Sequence, residues 1–514
     1  MPQRSTSTSL IALVSIRSAR HKRDHDLRGR YQCSIIPQVL SCNTEHHFVQ
    51  QNDNGRILVL SNLDNSPHSR DIQSHAHPQT NFRAHEQIGP MIIDSGNGVR
   101  IRDDNGRDFI DGMAGLWCTS LGFSEQRLID AACRQMRKLP YTQTFAHRTS
   151  EPVIDLAEAL LQRAPSPMSK VMFQSSGSEA VDTAIKLAWY YFAAIGKPEK
   201  RKIIGRTKAY HGTTIAAASL TGLPNMHNGY GLPLPGFLHV SCPDTYRGMQ
   251  EGETEAAYSE RLAGELEALI IKEDPETIAA FFAEPVMGTG GVMVPPEGYF
   301  DAVQKVLRKH EILLVADEVI CGFGRTGQYW GSQLYGLEPD MLTCAKGLSS
   351  AYFPISALMI NDRLYQAIAD FTQQFNGFGH GYTYGGHPVG AAVAMETLRI
   401  YDEMDICARV RSLAPLLQDG LRSLGDMPIV GNVRGVGLMA AVEFVSDKSA
   451  RLPFPMEANV AGRIANAIKE RGVLLRALGP SLVLSPPLIA TEADIREIVA
   501  AVADSVAFIQ ELID

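Results

Sequence analysis

The sequence has no apolar run long enough to cross a bilayer. Its longest early run, Leu10 to Ile16, falls far short of the ~20 residues a membrane helix needs, and later runs are broken by charge, Gly or Pro. It has no C-x-x-C pair. Its eight cysteines are scattered along 514 residues, which excludes a disulfide scaffold and predicts reduced, mostly buried thiols in a reducing compartment. It has no excess of positive charge: 48 Lys and Arg face 56 Asp and Glu, a net charge of −8, so nothing draws the chain as a whole to nucleic acid. No internal repeat or low-complexity tract occurs within 71–514. What is there is ordinary globular composition, 45 % hydrophobic, in a chain long enough for two to four domains at roughly 100–200 residues each.

Residues 1–70 differ from the rest. They carry nine Lys/Arg and five Asp/Glu, a local charge of +4, with many serines and no sustained period. We expect a poorly ordered leader, either a flexible tail or translated sequence upstream of the true start, and hence a cytoplasmic protein. An organelle transit peptide is the alternative, and Asp24 and Asp26 interrupt its basic run.

From Asp71 the pattern becomes periodic. Val99 to Ile110 alternates around Asp103-Asp104-Asn105-Gly106, a hairpin with an Asn-Gly turn. Strands are predicted at Lys170–Phe173, Lys202–Ile204, Phe237–Val240, Ile278–Ala283, Ile312–Ala316, Met341–Cys344 and Ile355–Ile360. Helices such as Ala256–Lys272 and Tyr299–His310 alternate with them, which argues for a largely parallel sheet covered on both faces. Thr491-Glu-Ala-Asp494 opens a final amphipathic helix.

Three strand ends carry chemistry. Ser176-Gly177-Ser178 stands between a strand and a helix, where free N–H groups suit a phosphate; Ser176-x-x-Glu179 is equally a capping box. Asp317 ends a buried strand, as an acid aimed into a crevice or as a helix cap or structural ion pair. Lys346 ends another, where desolvation turns a lysine into a nucleophile or base. Gly322-x-Gly324-x-x-Gly327 satisfies a dinucleotide pattern literally, but an Asp-Glu-Val-Ile-Cys segment intervenes and Gln328-Tyr-Trp-Gly is a poor helix start. Phosphate cradle, acid and lysine on one sheet edge are what pyridoxal phosphate requires, and Tyr210-His211-Gly212 can supply an aromatic face.

The sequence resembles the class III, or omega, aminotransferases of the type I pyridoxal-phosphate fold. The matching segments are Asp111-Gly-Met-Ala-Gly-Leu-Trp117-Cys118, Ser176-Gly-Ser-Glu179, Ala209-Tyr-His-Gly212, Ala283-Glu-Pro-Val-Met-Gly288, Ala316-Asp-Glu-Val-Ile-Cys-Gly-Phe-Gly324, Ala345-Lys-Gly347 and Gly381-Tyr-Thr-Tyr-Gly-Gly-His-Pro388. They stand in family order from about Asp71 onward. The resemblance implies an α/β fold with a large cofactor-binding domain at 126–390, and a smaller α+β domain built from 71–125 and 391–514. It implies Lys346 as the Schiff-base lysine and proton carrier, and Asp317 as partner of the pyridine nitrogen. Val319 and Tyr210 would form the faces of the ring sandwich, with His211 beside them. Ser176, Gly177 and Ser178 would bind phosphate, joined by Thr383 from a neighbouring subunit, and Glu284 would line the pocket.

On the substrate side the resemblance implies Trp117 in a motif typical of pyruvate users and Arg476 as a mobile grip on a substrate carboxylate, where a surface ion pair is the alternative. Tyr141 and Phe145 would form a wall contributed by the partner. Gln79 stands where many relatives have an aromatic, which argues against bulky aromatic amines, and Gly385 replaces a serine of some relatives. The implied reaction moves an amino group from an omega-amino acid, primary amine or diamine to pyruvate in ping-pong half-reactions. Alternatives are 2-oxoglutarate as acceptor, or an aminomutase or decarboxylase on the same fold. A homodimer with shared sites is implied, with a tetramer as an extension. No metal site is expected, since His46-His47 and His75-x-His77 lack the spacing for one on a single strand or helix.

Overall fold

The computed structural model describes residues 48–51, 57–60 and 65–513. They belong to two compact units, one reaching Pro90 and one running Met91–Asp514. In the first, strands Phe48–Gln51 and Ile57–Leu60 pair antiparallel, and two short helices follow at Pro67–Ser74 and Phe82–Ile88. Both strands and the start of the first helix fall within the stretch expected to lack order; the rest of the leader, with His46, His47, Cys33 and Cys42, lies outside the described residues. The first helix begins where Ser66 accepts from Ser69 N and Pro67 fills a first-turn position whose N–H needs no helical partner.

The second unit is organised by a seven-stranded sheet. In space its order is Lys170–Gln174, Ser356–Ile360, Met341–Cys344, Leu313–Asp317, Ile278–Ala283, Lys202–Arg206, Phe237–Val240. Ser356–Ile360 runs antiparallel to both neighbours, and the other pairings are parallel. The strands sit where the apolar runs predict them, with ends shifted by a residue or two. Four central strands are buried along their whole length, which is why they read as continuous apolar runs and not as alternation. Successive residues feed different cores: Leu313 and Val315 pack with the helix Gly177–Ala194, while Leu314 and Ala316 pack with Leu262 and Phe300 on the other face.

The smaller sheets draw on both ends of this unit. Arg100–Asp103 and Asp108–Asp111 form the predicted hairpin, whose turn places Gly106 at φ 79°. Val473 and Leu474 then pair in parallel with Ile110 and Asp111. A five-stranded sheet is built on Val430–Val436, Met439–Asp447, Ser481–Leu484 and Arg476–Leu478, with Leu452–Pro453 beside the second of these. The last helix, Glu492–Glu511, starts with reciprocal Thr491 and Asp494 bonds and buries Ile495, Ile498, Val502, Val506 and Ile509. Among the described residues, no helix is long and apolar enough to cross a membrane.

Candidate active site

Parallel strands deliver their carboxyl ends to one edge, and the residues there surround a cavity of about 160 Å³. Its wall includes Gly177, Ser178, Tyr210, His211, Glu284, Asp317, Val319 and Lys346. The register is fixed by the sheet: Asp317 lies opposite Thr343, and Ala316 opposite Ala283.

The phosphate-type end is a helix start. Ser176 accepts from Glu179 N at 3.2 Å, and Glu179 Oε2 accepts from Ser175 N at 2.7 Å. The cap and the anion site are therefore compatible: capping occupies Ser175 and Glu179 and leaves the first-turn N–H groups of Gly177 and Ser178, which no helical carbonyl takes. A Cβ on Gly177 would meet both Val319 methyls at 3.2 Å, and one on Gly212 would meet Ser178 Oγ at 2.5 Å. Both glycines bring backbone to the cavity where a side chain has no room. Ser178 Oγ also accepts from Thr213 N at 3.0 Å, tying the Tyr210 loop to this helix.

Asp317 is held from three sides. His211 Nδ1 lies 2.7 Å from Oδ2, while Val319 N and Thr343 Oγ1 donate to Oδ1 at 3.1 and 3.3 Å. His211 thus supports the acid, a role its place in an aromatic tripeptide did not reveal. Its Nε2 is buried without a partner. Glu284 braces the same loop, accepting from Tyr210 N at 3.1 Å and Gly288 N at 2.9 Å. Burial pushes its carboxyl above the usual range, opposed by the His211 imidazole. Burial also raises the Tyr210 phenol, with Arg476 opposing it.

Lys346 follows the strand Met341–Cys344 at φ 43°, a left-handed conformation that costs a non-glycine residue strain and that marks functional sites. Desolvation lowers its amine below the ordinary lysine range, against the pull of Asp317. A desolvated lysine amine beside a held acid is placed to attack a carbonyl and carry a proton.

Other predicted residues lie elsewhere. Trp117 is buried at φ 59° among Met113, Val286, Ile320 and Val483, outside the cavity wall, and its Nε1 has no partner. Arg476 is half-buried at the start of its strand; burial lowers its guanidinium and Tyr210 raises it, and no carboxylate pairs with it among the described residues. Tyr141, Phe145 and Thr383 form a separate exposed group: Tyr141 Oη donates to Thr383 O at 2.7 Å, and Phe145 covers Gly381. Residues 319–330 are turns, so the Gly322–Gly327 pattern opens no helix of the dinucleotide kind.

Three buried residues were not singled out from sequence. Glu318 accepts from Ser332 N, Ser332 Oγ and Gly331 N, and burial raises it to about 7. Arg206 donates to Glu284 O at 2.6 Å, and Thr343 braces Asp317. An acid beside Asp317 and a strand-end arginine were the available signals. Their partners come from other strands and turns.

The donor set fits pyridoxal phosphate: helix-start N–H groups for its phosphate, Asp317 for its pyridine nitrogen, and Lys346 for its aldehyde carbon. Comparison with known proteins agrees. Residues 82–506 match the family described as Aminotransferase class-III. The chain is 47 % identical over 413 residues to gamma aminobutyrate transaminase 1, mitochondrial, of Solanum lycopersicum, covering 80 % of each chain. It is 48 % identical, with a TM-score of 0.86, to the omega transaminase of Pseudomonas jessenii in complex with PMP, across 87 % of this chain and 99 % of that one. A structure described as a transaminase with L-ala is 50 % identical at a TM-score of 0.81, over 82 % of this chain and 100 % of that one. The chain therefore belongs to the class III aminotransferases, and it is a pyridoxal-phosphate-dependent transaminase of the omega type.

Proposed function

We propose that this transaminase moves the amino group of an omega-amino acid, a diamine or a simple primary amine to pyruvate, which leaves as alanine. The observation that carries this reading is Arg476, a half-buried guanidinium beside Tyr210 with no carboxylate partner among the described residues. A guanidinium fork matches a carboxylate bidentately, so it can hold pyruvate in one half-reaction and an omega-amino acid in the other. The names of two relatives support both ends: one is called a gamma aminobutyrate transaminase, and one structure holds L-ala.

The bound cofactor supplies an electron sink for the charge left when an amine loses its proton. The chain supplies the rest. Lys346 Nζ would accept and return the proton that the amine gives up. Asp317 keeps the pyridine nitrogen protonated, with His211 steadying the acid. Tyr210 and Val319 enclose the ring, and Ser176, Gly177 and Ser178 hold the phosphate. Glu284 sets the position of Tyr210.

Two copies would share their sites. The exposed group of Tyr141, Phe145, Thr383 and Tyr384 supports this, since aromatic side chains 38–63 % open to solvent suit an interface. In this reading Thr383 reaches the neighbour's phosphate. We read 126–390 as the cofactor-binding domain, and 71–125 with 391–514 as the smaller one. The interrupted basic run of the leader supports residence in the cytoplasm, and the mitochondrial name of the tomato relative supports the import alternative. Fusing residues 1–70 to a reporter separates the two.

The function is tested by half-reactions. The purified holoenzyme is mixed with one amine at a time, and the visible absorbance of the bound cofactor is followed; pyruvate or 2-oxoglutarate is then added. Loss of the band with 4-aminobutyrate, β-alanine or putrescine, and its return with pyruvate, is the expected result. Return with 2-oxoglutarate alone overturns the acceptor. A band that no amine converts, or carbon dioxide released without a second substrate, overturns the reaction in favour of an aminomutase or decarboxylase.

A further inference from the structure

The first unit contains a cluster that the transaminase site does not use. Asp71 lies in the helix Pro67–Ser74, His75 and His77 follow it, and His85 lies in the helix Phe82–Ile88. Asp71 Oδ2 is 2.7 Å from His77 Nε2 and 3.0 Å from His85 Nε2, while Oδ1 is 3.2 Å from His75 Nδ1. The ligand-type atoms of Asp71, His77 and His85 all lie within 4.8 Å of one another. The three imidazoles lie against one another with centroids 4.3 and 4.1 Å apart and their planes tilted by 45° and 37°.

Within these two helices, Ser69 is the one buried residue. Apolar packing inside the pair is therefore slight. A lone carboxylate can accept from three imidazoles, but that arrangement gathers three rings around a single charge. We propose that Asp71, His77 and His85, joined by His75, form a zinc-binding clasp that ties the two helices to each other.

The chemistry of the donors favours zinc. Imidazole nitrogens with a carboxylate oxygen suit this borderline cation, and four such ligands complete a tetrahedron. Zinc–ligand bonds of ~2.0–2.2 Å set neighbouring ligand atoms roughly 3.4 Å apart. The 2.7 and 3.0 Å separations at Asp71 would open by about half an ångström, within the reach of small side-chain rotations. His75 has 60 % of its side chain open to solvent and would exchange its 3.2 Å contact with Asp71 Oδ1 for the cation as the fourth ligand. Spacing on one element could not reveal this site, because its ligands come from two helices and the chain between them.

The test uses the full-length holoenzyme, stripped of metal and titrated with Zn²⁺ by calorimetry and with Co²⁺ by visible absorption. One tight equivalent per chain and the ligand-field band of tetrahedral cobalt are expected. His77→Gln/His85→Gln should weaken binding by more than ~100-fold, the upper end of what losing an outer hydrogen-bond partner costs. The chain has other candidates among its 15 His and eight Cys, so an equivalent that survives this double substitution overturns the proposal, as does a wild-type chain that binds none. His85→Cys keeps a zinc ligand while removing the imidazole N–H. It should retain the equivalent, whereas a hydrogen-bonded cluster would not gain zinc from a thiol. Hydrogen exchange over residues 67–88 gives a second readout: protection on adding Zn²⁺ in wild type and none in the double variant.

Discussion

His211 Nδ1 stands 2.7 Å from Asp317 Oδ2, with both side chains buried. A carboxylate accepts and does not donate, so His211 is the donor and its proton sits on Nδ1. The imidazole orients the carboxylate. Asp317→Asn removes the carboxylate charge and should lower kcat by about 10²–10³ or more, the scale on which a lost electrostatic partner acts. His211→Asn keeps a donor and should cost at least tenfold less. Steady-state kinetics on the two variants checks the split, and equal losses would show that the imidazole does more than orient.

Lys346 also affects stability. Its amine is lowered from the ordinary 10.5 by desolvation. Below 10.5 the unfolded chain binds this proton more tightly than the folded apoenzyme does, so stability rises with pH from the folded value toward 10.5. Lys346→Met removes the buried amine. The apoenzyme of this variant should melt a few degrees higher than wild type at neutral pH, and the gap should close as pH rises. The same variant should have no transaminase activity.

Glu318 works in the opposite sense. Burial raises it from 4.5 to about 7, so between these values the folded chain keeps a proton that the unfolded chain has released. Stability falls as pH rises through that window. Glu318→Gln cannot titrate, and its melting temperature should lose this slope. The amide also faces the Gly331 and Ser332 N–H groups, which lowers its stability by an amount independent of pH.

Arg476 separates substrates by their charge. If its guanidinium holds a carboxylate, Arg476→Leu removes a hydrogen bond to a charged group worth ~1.5–3 kcal/mol, or about 10- to 160-fold in KM. The increase should appear for pyruvate and 4-aminobutyrate. An amine without a carboxylate should convert the bound cofactor at the wild-type rate. Single half-reactions read the two cases separately.

The chemistry was legible in sequence because it sits on strand ends. Apolar runs locate the strands, and whatever follows Ala316 or Cys344 must emerge at the same edge. The supporting contacts were not legible. His211 and Asp317 are 106 positions apart, and Glu284 reaches Tyr210 across 74. Glu318 stands next to Asp317 in sequence, yet its partners lie at Gly331 and Ser332. The pairing of His85 with Asp71 crosses two helices, and no periodicity records such a meeting.

Asp317 lies in register with Thr343 on the neighbouring strand. Asp317 ends one central strand and Lys346 follows the end of its neighbour, and backbone bonds on both sides of Leu313–Asp317 fix the two strand ends relative to each other. Arg476 begins a three-residue strand at the margin of another sheet, with Ser481–Leu484 as its single neighbour there. Under the proposed function the scaffold divides into a clamped seat for bond-making and, at a sheet edge, a rim that chooses the guest. Substitutions that widen or narrow the range of amines can accumulate on the rim while the seat keeps its dimensions.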